Sequence, residues 1–221
     1  MLETVLFDVG NTLLHLDYAW LAELAGRLGA PVSAEDVGRA DARVRRQLNE
    51  KPEILHDSLA AYFAETGRDI GLPPAAAQAF GAQAEAEHQR DPRGIWRSVV
   101  EGAHETVGRL RGRGIRVGVV SNADGRVEAQ LRLAGLRDLF AVVVDSHLAG
   151  VEKPDPRIFA IALSELGAEA QTALYVGDLV AVDVEGARAA GMHGLLFDPW
   201  DAYPELREER IRRLAELLGR I

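Results

Sequence analysis

The sequence predicts an α/β fold: a parallel sheet covered by helices on both faces, interrupted by an inserted all-α segment. Three observations carry that expectation. From about residue 100 onward, short apolar runs alternate with helical patterns, as in successive βαβ units. Residues from about 16 to 95 contain no convincing strand. The short apolar run at 4–8, TVLFD, has no partner nearby and is most simply placed in the distant sheet, which makes the helical zone an insertion.

The elements follow in order. In the helical zone, Leu21, Leu24, Ala25 and Leu28 form one stripe. Ser33 and Asp36 have capping-box spacing ahead of a second stripe, Val37, Ala40, Val44 and Leu48. Asp57 or Ser58 caps a third helix that turns Leu59, Tyr62 and Phe63 inward, and Pro73-Pro74 opens a fourth, alanine-rich helix. Beyond it, helices at 102–112, 125–134, 155–166 and 181–190 lead to strands at 115–121, 140–145, 173–178 and 193–198, and a last helix closes the chain.

Composition narrows the function classes. The 221 residues suffice for one large domain, or an ordinary one carrying a smaller insertion. Hydrophobic residues make up 48% and charged residues 27%, the balance of a folded soluble protein. A net charge of -9 without a long basic run argues against nucleic-acid binding. There is no cysteine, hence no disulfide framework or thiolate chemistry. MLETVLFD lacks the pattern of a signal peptide, and no apolar run approaches the ~20 residues of a membrane span. No membrane association and a cytoplasmic location are therefore expected. Of 25 basic residues only two, Lys51 and Lys153, are lysine.

In an open parallel sheet, ligands bind at the carboxyl ends of the strands. Those ends carry Asp8, Ser121, Asp145 and Asp178, with Lys153 in a following loop. Asp8 and Asp178, with Asp183 a turn further on, would gather several carboxylates that repel one another unless a cation binds. Few carboxylates plus waters suit Mg²⁺. A hydroxyl and an ammonium opposite a metal make a pocket for a phosphoryl group, and a carboxylate can attack phosphorus. Each residue also has an ordinary reading. Asp8 precedes the turn-like Gly10-Asn11; Ser121-Asn122 and Asp178 suit helix caps; Lys153 suits a solvated loop. A lysine in so arginine-rich a chain suggests that a compact point charge is needed there. The ordered set outweighs any one residue.

That set resembles the four motifs of the haloacid dehalogenase (HAD) superfamily, in the branch with a helical cap inserted after the first strand. DVGNT, Asp8 to Thr12, resembles the first motif; Ser121-Asn122 after VGVV the second; Lys153 in GVEKPDPRIF the third; and GDLVAVD, with Asp178 and Asp183, the fourth. The resemblance implies a Rossmann-like core at 1–14 and 96–221 and a helical cap at 15–95. It implies Asp8 as nucleophile, with Asp8, the Gly10 carbonyl, Asp178 and Asp183 as the metal site for Mg²⁺. Ser121 and Lys153 would hold phosphoryl oxygens. Asn11, Thr12 and the backbone amide of Asn122 would shape the cradle, and 11–15 would be the hinge. The expected activity is a Mg²⁺-dependent phosphatase for a small phosphorylated metabolite.

One departure qualifies the resemblance. Phosphatases of the superfamily usually read DxDxT, and their second Asp protonates the leaving group; here that position is Gly10. Losing such a group typically costs on the order of 10²–10⁴ in rate. Four explanations stand: substrates with good leaving groups, a substitute acid such as His15, Asp17 or His56, a different reaction, or a phospho-ligand or partner-binding role with little turnover. The different reactions are 2-haloacid dehalogenation, which needs no metal acids, and phosphonoacetaldehyde hydrolysis, for which Lys51 would be the Schiff-base lysine. Trp20, Tyr62 and Trp96 are candidates for lining a substrate pocket, although aromatics at helical spacing are more often core.

Overall fold

The computed structural model describes residues 2–48, 58–206 and 210–221. They group into two units, Met1–His15 with Arg97–Ile221, and Leu16–Trp96. In chain order the strands are β1 (Thr4–Phe7), β2 (Leu14–Leu16), β3 (Trp96–Val99), β4 (Arg116–Ser121), β5 (Val142–Asp145), β6 (Ala173–Gly177), β7 (His193–Phe197) and β8 (Arg210–Ile211). The α-helices are α1 (Tyr18–Arg27), α2 (Ala34–Gln47), α3 (Leu59–Asp69), α4 (Pro74–Arg90), α5 (Ala103–Gly112), α6 (Val127–Leu133), α7 (Ser146–Ala149), α8 (Pro156–Leu166) and α9 (Glu185–Ala189). Among the described residues no helix is long and apolar enough to cross a membrane.

The first unit is built on a six-stranded parallel sheet in the order β5-β4-β1-β6-β7-β8. The apolar run at the start of the chain is its centre, between β4 and β6. Phe7 lies opposite Val119 of β4 and Val176 of β6. This register brings the carboxyl ends of β1, β4 and β6 side by side. Leu6, Val120, Val142 and Val144 pack on Ile158, Phe159, Ala162 and Leu163 of α8, with Ala187 of α9. Burying each of the Val, Leu, Ile and Phe side chains among them stabilises the layer by about 1.5–3 kcal/mol.

The second unit is helical. Asp17 caps α1 by accepting the Trp20 N–H at 3.0 Å. Ser33 and Asp36 form a reciprocal capping box on α2, and Ser58 caps α3 by accepting the Ala61 N–H. Gly81 on α4 permits a close approach to α3: a Cβ there would lie 2.1 Å from the Ala60 carbonyl oxygen. The interior carries a charge cluster around Asp41. Buried Asp41 accepts from the Tyr18 hydroxyl at 2.9 Å, Arg45 Nε at 3.0 Å and the Tyr62 hydroxyl. Burial, and then the Asp41 charge, push the Tyr62 hydroxyl well above its ordinary pKa, so it stays a donor.

Some local details differ from the sequence reading. Residues Leu14–Leu16, which the sequence does not mark as a strand, form β2 and pair with β3 in a separate two-stranded ribbon. Three residues alternating apolar and polar, LHL, are too short to register as a strand until a partner is present. The helix expected at 181–190 opens with a wide π-type turn at Val180–Val184. The closing helix is a 3-10 segment, Leu214–Gly219, preceded by the unexpected edge strand β8. Asp57, offered beside Ser58 as a cap, lies outside the described residues.

Candidate active site

Asp8 follows the last residue of β1, and its N–H donates to the Val176 carbonyl at 2.9 Å. The chain then turns sharply. The Val9 carbonyl accepts from the N–H groups of Thr12, Leu13 and Leu14, and the Asn11 N–H donates to Leu14 O at 2.7 Å. Asn11 takes a left-handed conformation with φ 55°, which asparagine tolerates better than most residues. Asn11 Oδ1 and Thr12 Oγ1 are buried without a hydrogen-bond partner among the described residues. Buried polar atoms of this kind ordinarily have partners, so a pair of them beside Asp8 points to a ligand-binding surface.

Three elements converge on Asp8. Ser121, the last residue of β4, donates from Oγ to Asp8 Oδ1 at 3.0 Å. Lys153 Nζ donates to the same oxygen at 2.7 Å, to Asp183 Oδ1 at 2.7 Å and to the Tyr175 hydroxyl at 2.8 Å. The lysine backbone is gripped by Asn122: Asn122 Nδ2 donates to Lys153 O at 2.9 Å, and the Lys153 N–H donates to Asn122 Oδ1 at 2.7 Å. Asp183 Oδ2 accepts the N–H groups of Asp178 and Leu179 at 3.0 and 2.9 Å. The π-type turn carries Asp183 back over β6, and Gly177 leaves room for it. A Cβ at 177 would lie 2.4 Å from Asp183 Cγ.

One carboxylate oxygen from each of Asp8, Asp178 and Asp183 lies within 4.8 Å of the others, and all three residues are buried. Three carboxylates against the one ammonium of Lys153 leave an excess of negative charge. Burial raises the Asp8 carboxyl above its ordinary pKa, and Asp183 adds to the effect against the opposing pull of Lys153. Burial alone would lower Lys153, but Asp183 and Asp8 outweigh it and hold the ammonium above the usual lysine value. A hard cation with oxygen ligands suits this donor set and would relieve the repulsion.

The structure thus brings Asp8, Ser121, Lys153, Asp178 and Asp183 together, with Asn11, Thr12 and Gly10 in the turn after Asp8 and Asn122 behind Lys153. Asp145 does not join them. Its carboxylate accepts from the N–H groups of Gly125, Val127 and His147, fixing the loop after β4. Of the candidate substitute acids, Asp17 caps α1, and the His15 ring stacks on Phe197 at 6.3 Å. His56 and Lys51 lie outside the described residues. Tyr62 and Trp96 belong to the helical interior, Tyr62 on Asp41 and Trp96 against Phe63 and His88. Trp20 is partly buried.

Tyr175 is the site residue that sequence reasoning missed. Its one signal is a polar tip in an otherwise aliphatic buried strand, ALYVG.

Comparison with known proteins decides the family. The model for haloacid dehalogenase-like hydrolases matches residues 2–191. The chain belongs to this family. The curated relative "Haloacid dehalogenase-like hydrolase domain-containing protein 3" is 34% identical in Bos taurus over 206 residues, 88% of this chain and 81% of that protein. In Homo sapiens the match is 46% over 98 residues, 44% of this chain and only 39% of that protein. A phosphoglycolate phosphatase of Rhodospirillum rubrum is 36% identical over 87% of this chain and 78% of its own length. The solved HAD phosphatase from Thermococcus onnurineus superposes with a TM-score of 0.63 at 26% identity, over 99% of this chain and 97% of that one.

Proposed function

We propose that the protein is a Mg²⁺-dependent phosphatase that acts on a small phosphorylated metabolite through an aspartyl-phosphate on Asp8. The observation that carries this reading is the convergence on Asp8. One carboxylate oxygen is held by Ser121 at 3.0 Å and Lys153 at 2.7 Å, beside the oxygens of Asp178 and Asp183. The phosphatase relative from Rhodospirillum rubrum supports it.

In this reading Asp8 attacks phosphorus. A bond forms from its carboxylate oxygen to phosphorus as the bond to the leaving oxygen breaks. Water then attacks the same phosphorus, releases inorganic phosphate and restores the carboxylate. Ser121 and Lys153 bind phosphoryl oxygens, and Asn11, Thr12 and the Asn122 N–H complete the cradle. Asp8, Asp178 and the Gly10 carbonyl would hold Mg²⁺, with Asp183 supporting them. When bound, the ion neutralises charge between the carboxylates and the phosphoryl group. The unit Leu16–Trp96 would act as the cap that controls access and sets the substrate.

Gly10 places no side-chain acid in the first motif. The expected preference is therefore for leaving groups that need little protonation, such as acyl and aryl phosphates. The test is phosphate release from acetyl phosphate, p-nitrophenyl phosphate, phosphoglycolate and sugar phosphates, with Mg²⁺ and with EDTA. Turnover that requires both Mg²⁺ and Asp8, with acetyl phosphate ahead of alkyl phosphates, is the expected result. Activity that survives EDTA or Asp8→Asn would overturn the mechanism. Halide release from a 2-haloacid without Mg²⁺ would instead indicate a dehalogenase, and borohydride trapping at Lys51 a phosphonatase. Phosphate affinity without turnover would indicate a binding protein.

A further inference from the structure

Lys153 is 4% exposed, and all three protons of its ammonium have a partner inside the protein. Two partners, Asp8 and Asp183, are carboxylates. The third is the Tyr175 hydroxyl, a neutral oxygen presented by β6. That hydroxyl's own proton goes to the Val120 carbonyl of β4 at 2.6 Å. Tyr175 thus reaches from one neighbour of β1 to the other and fixes the direction of its lone pairs. With its proton committed to Val120, it meets Lys153 as an acceptor. The ring is immobilised in turn, packed edge-on against Phe159 of α8 at 5.0 Å between centroids.

From this geometry we propose that Tyr175 is the positioning residue of Lys153: its immobilised hydroxyl fixes where Nζ sits, so that the donor now on Asp8 Oδ1 stays aimed at that carboxylate. Asp183 and Asp8 already set the torsion of the ammonium about its Cε–Nζ bond, but both are carboxylates of the charge cluster; Tyr175 is the neutral third contact that fixes where Nζ sits. With Nζ held by Asp183 and Tyr175, its third proton points to Asp8 and the phosphoryl group that would arrive there. The catalytic consequence rests on the phosphatase reading above; the orientation of Lys153 does not.

The chain's two lysines allow a direct test. Protein labelled with ¹⁵N at lysine Nζ gives at most two side-chain ammonium signals, and Lys153→Arg assigns the one from Lys153. Tyr175→Phe keeps the ring and removes the oxygen. It is expected to shift the Lys153 signal or lose it to faster proton exchange. It is also expected to lower kcat on the order of 10–100-fold, the scale of one hydrogen bond to a charged group, while KM changes little. Leu163→Ala, which loosens the same core layer, is expected to lower the melting temperature without moving the Lys153 signal. If the phenylalanine variant does not fold, Tyr175→Met carries the same measurement. An unmoved Lys153 signal in a folded variant lacking the hydroxyl overturns the proposal, as does a moved signal with unchanged kcat. If the parent shows no Asp8-dependent turnover, the phosphatase reading fails, and the ammonium signal still decides whether Tyr175 holds Lys153.

Discussion

Asp8 carries an electrostatic cost. Its carboxyl is raised by burial and by Asp183. In the absence of metal, the folded protein therefore holds a proton there at pH values where the unfolded chain has already lost it. In that window stability falls as pH rises, the reverse of the usual paired carboxylate. Asp8→Asn removes the charge and keeps an oxygen for Ser121 and Lys153. In EDTA the variant is expected to melt higher than the parent. The difference should shrink when Mg²⁺ is added to the parent, and turnover should be lost throughout. A lower melting temperature in EDTA would contradict this account of the charge cluster. Most of these residues were legible in the sequence because they stand at the ends of apolar runs, and Lys153 because lysine is rare here. Asp145 looked equivalent, since a carboxylate that caps backbone amides and one that faces a ligand read alike in a string. Tyr175 was hidden because a tyrosine in a buried strand reads as core.

The catalytic geometry depends on loops and turns more than on strands. Asn122 was expected to offer a backbone amide, yet its side chain makes two hydrogen bonds to the Lys153 backbone. Removing both by Asn122→Ala should lower stability by about 1–3 kcal/mol and reduce kcat as Lys153 loses its anchor. Gly177 and Asp183 form a second such unit. Gly177→Ala cannot be accommodated while Asp183 stays in place. The expected outcome is weaker Mg²⁺ binding by calorimetry and a loss of activity, with the protein still folded. In the helical unit, Gly81→Ala would drive a methyl into the Ala60 carbonyl and should cost about 1–3 kcal/mol in thermal or urea unfolding. The alternation of strands and helices after residue 100 was plain from periodicity. The ribbon of β2 and β3, the edge strand β8 and the π-type turn were not. Each is short and owes its form to a distant partner or to Asp183 reaching back over β6.

At the scale of the whole molecule, the chain leaves the sheet after its first strand, builds a helical unit and returns to complete the sheet. The long separation between Asp8 and its partners Ser121, Lys153 and Asp183 follows from this route. Assembly of the site therefore reports completion of the fold. In the proposed reading Asp8, Asp178 and Asp183 supply a nucleophile and a metal site, while Gly10 offers no second carboxylate. The central claim is that Asp8 forms the covalent bond to phosphorus. Its most direct test is rapid acid quench of the enzyme turning over radiolabelled acetyl phosphate with Mg²⁺, followed by peptide mapping. The account predicts label on the peptide containing Asp8, absent with EDTA and absent from Asp8→Asn. Turnover without label on Asp8, or label that persists in the Asp8→Asn protein, would contradict it.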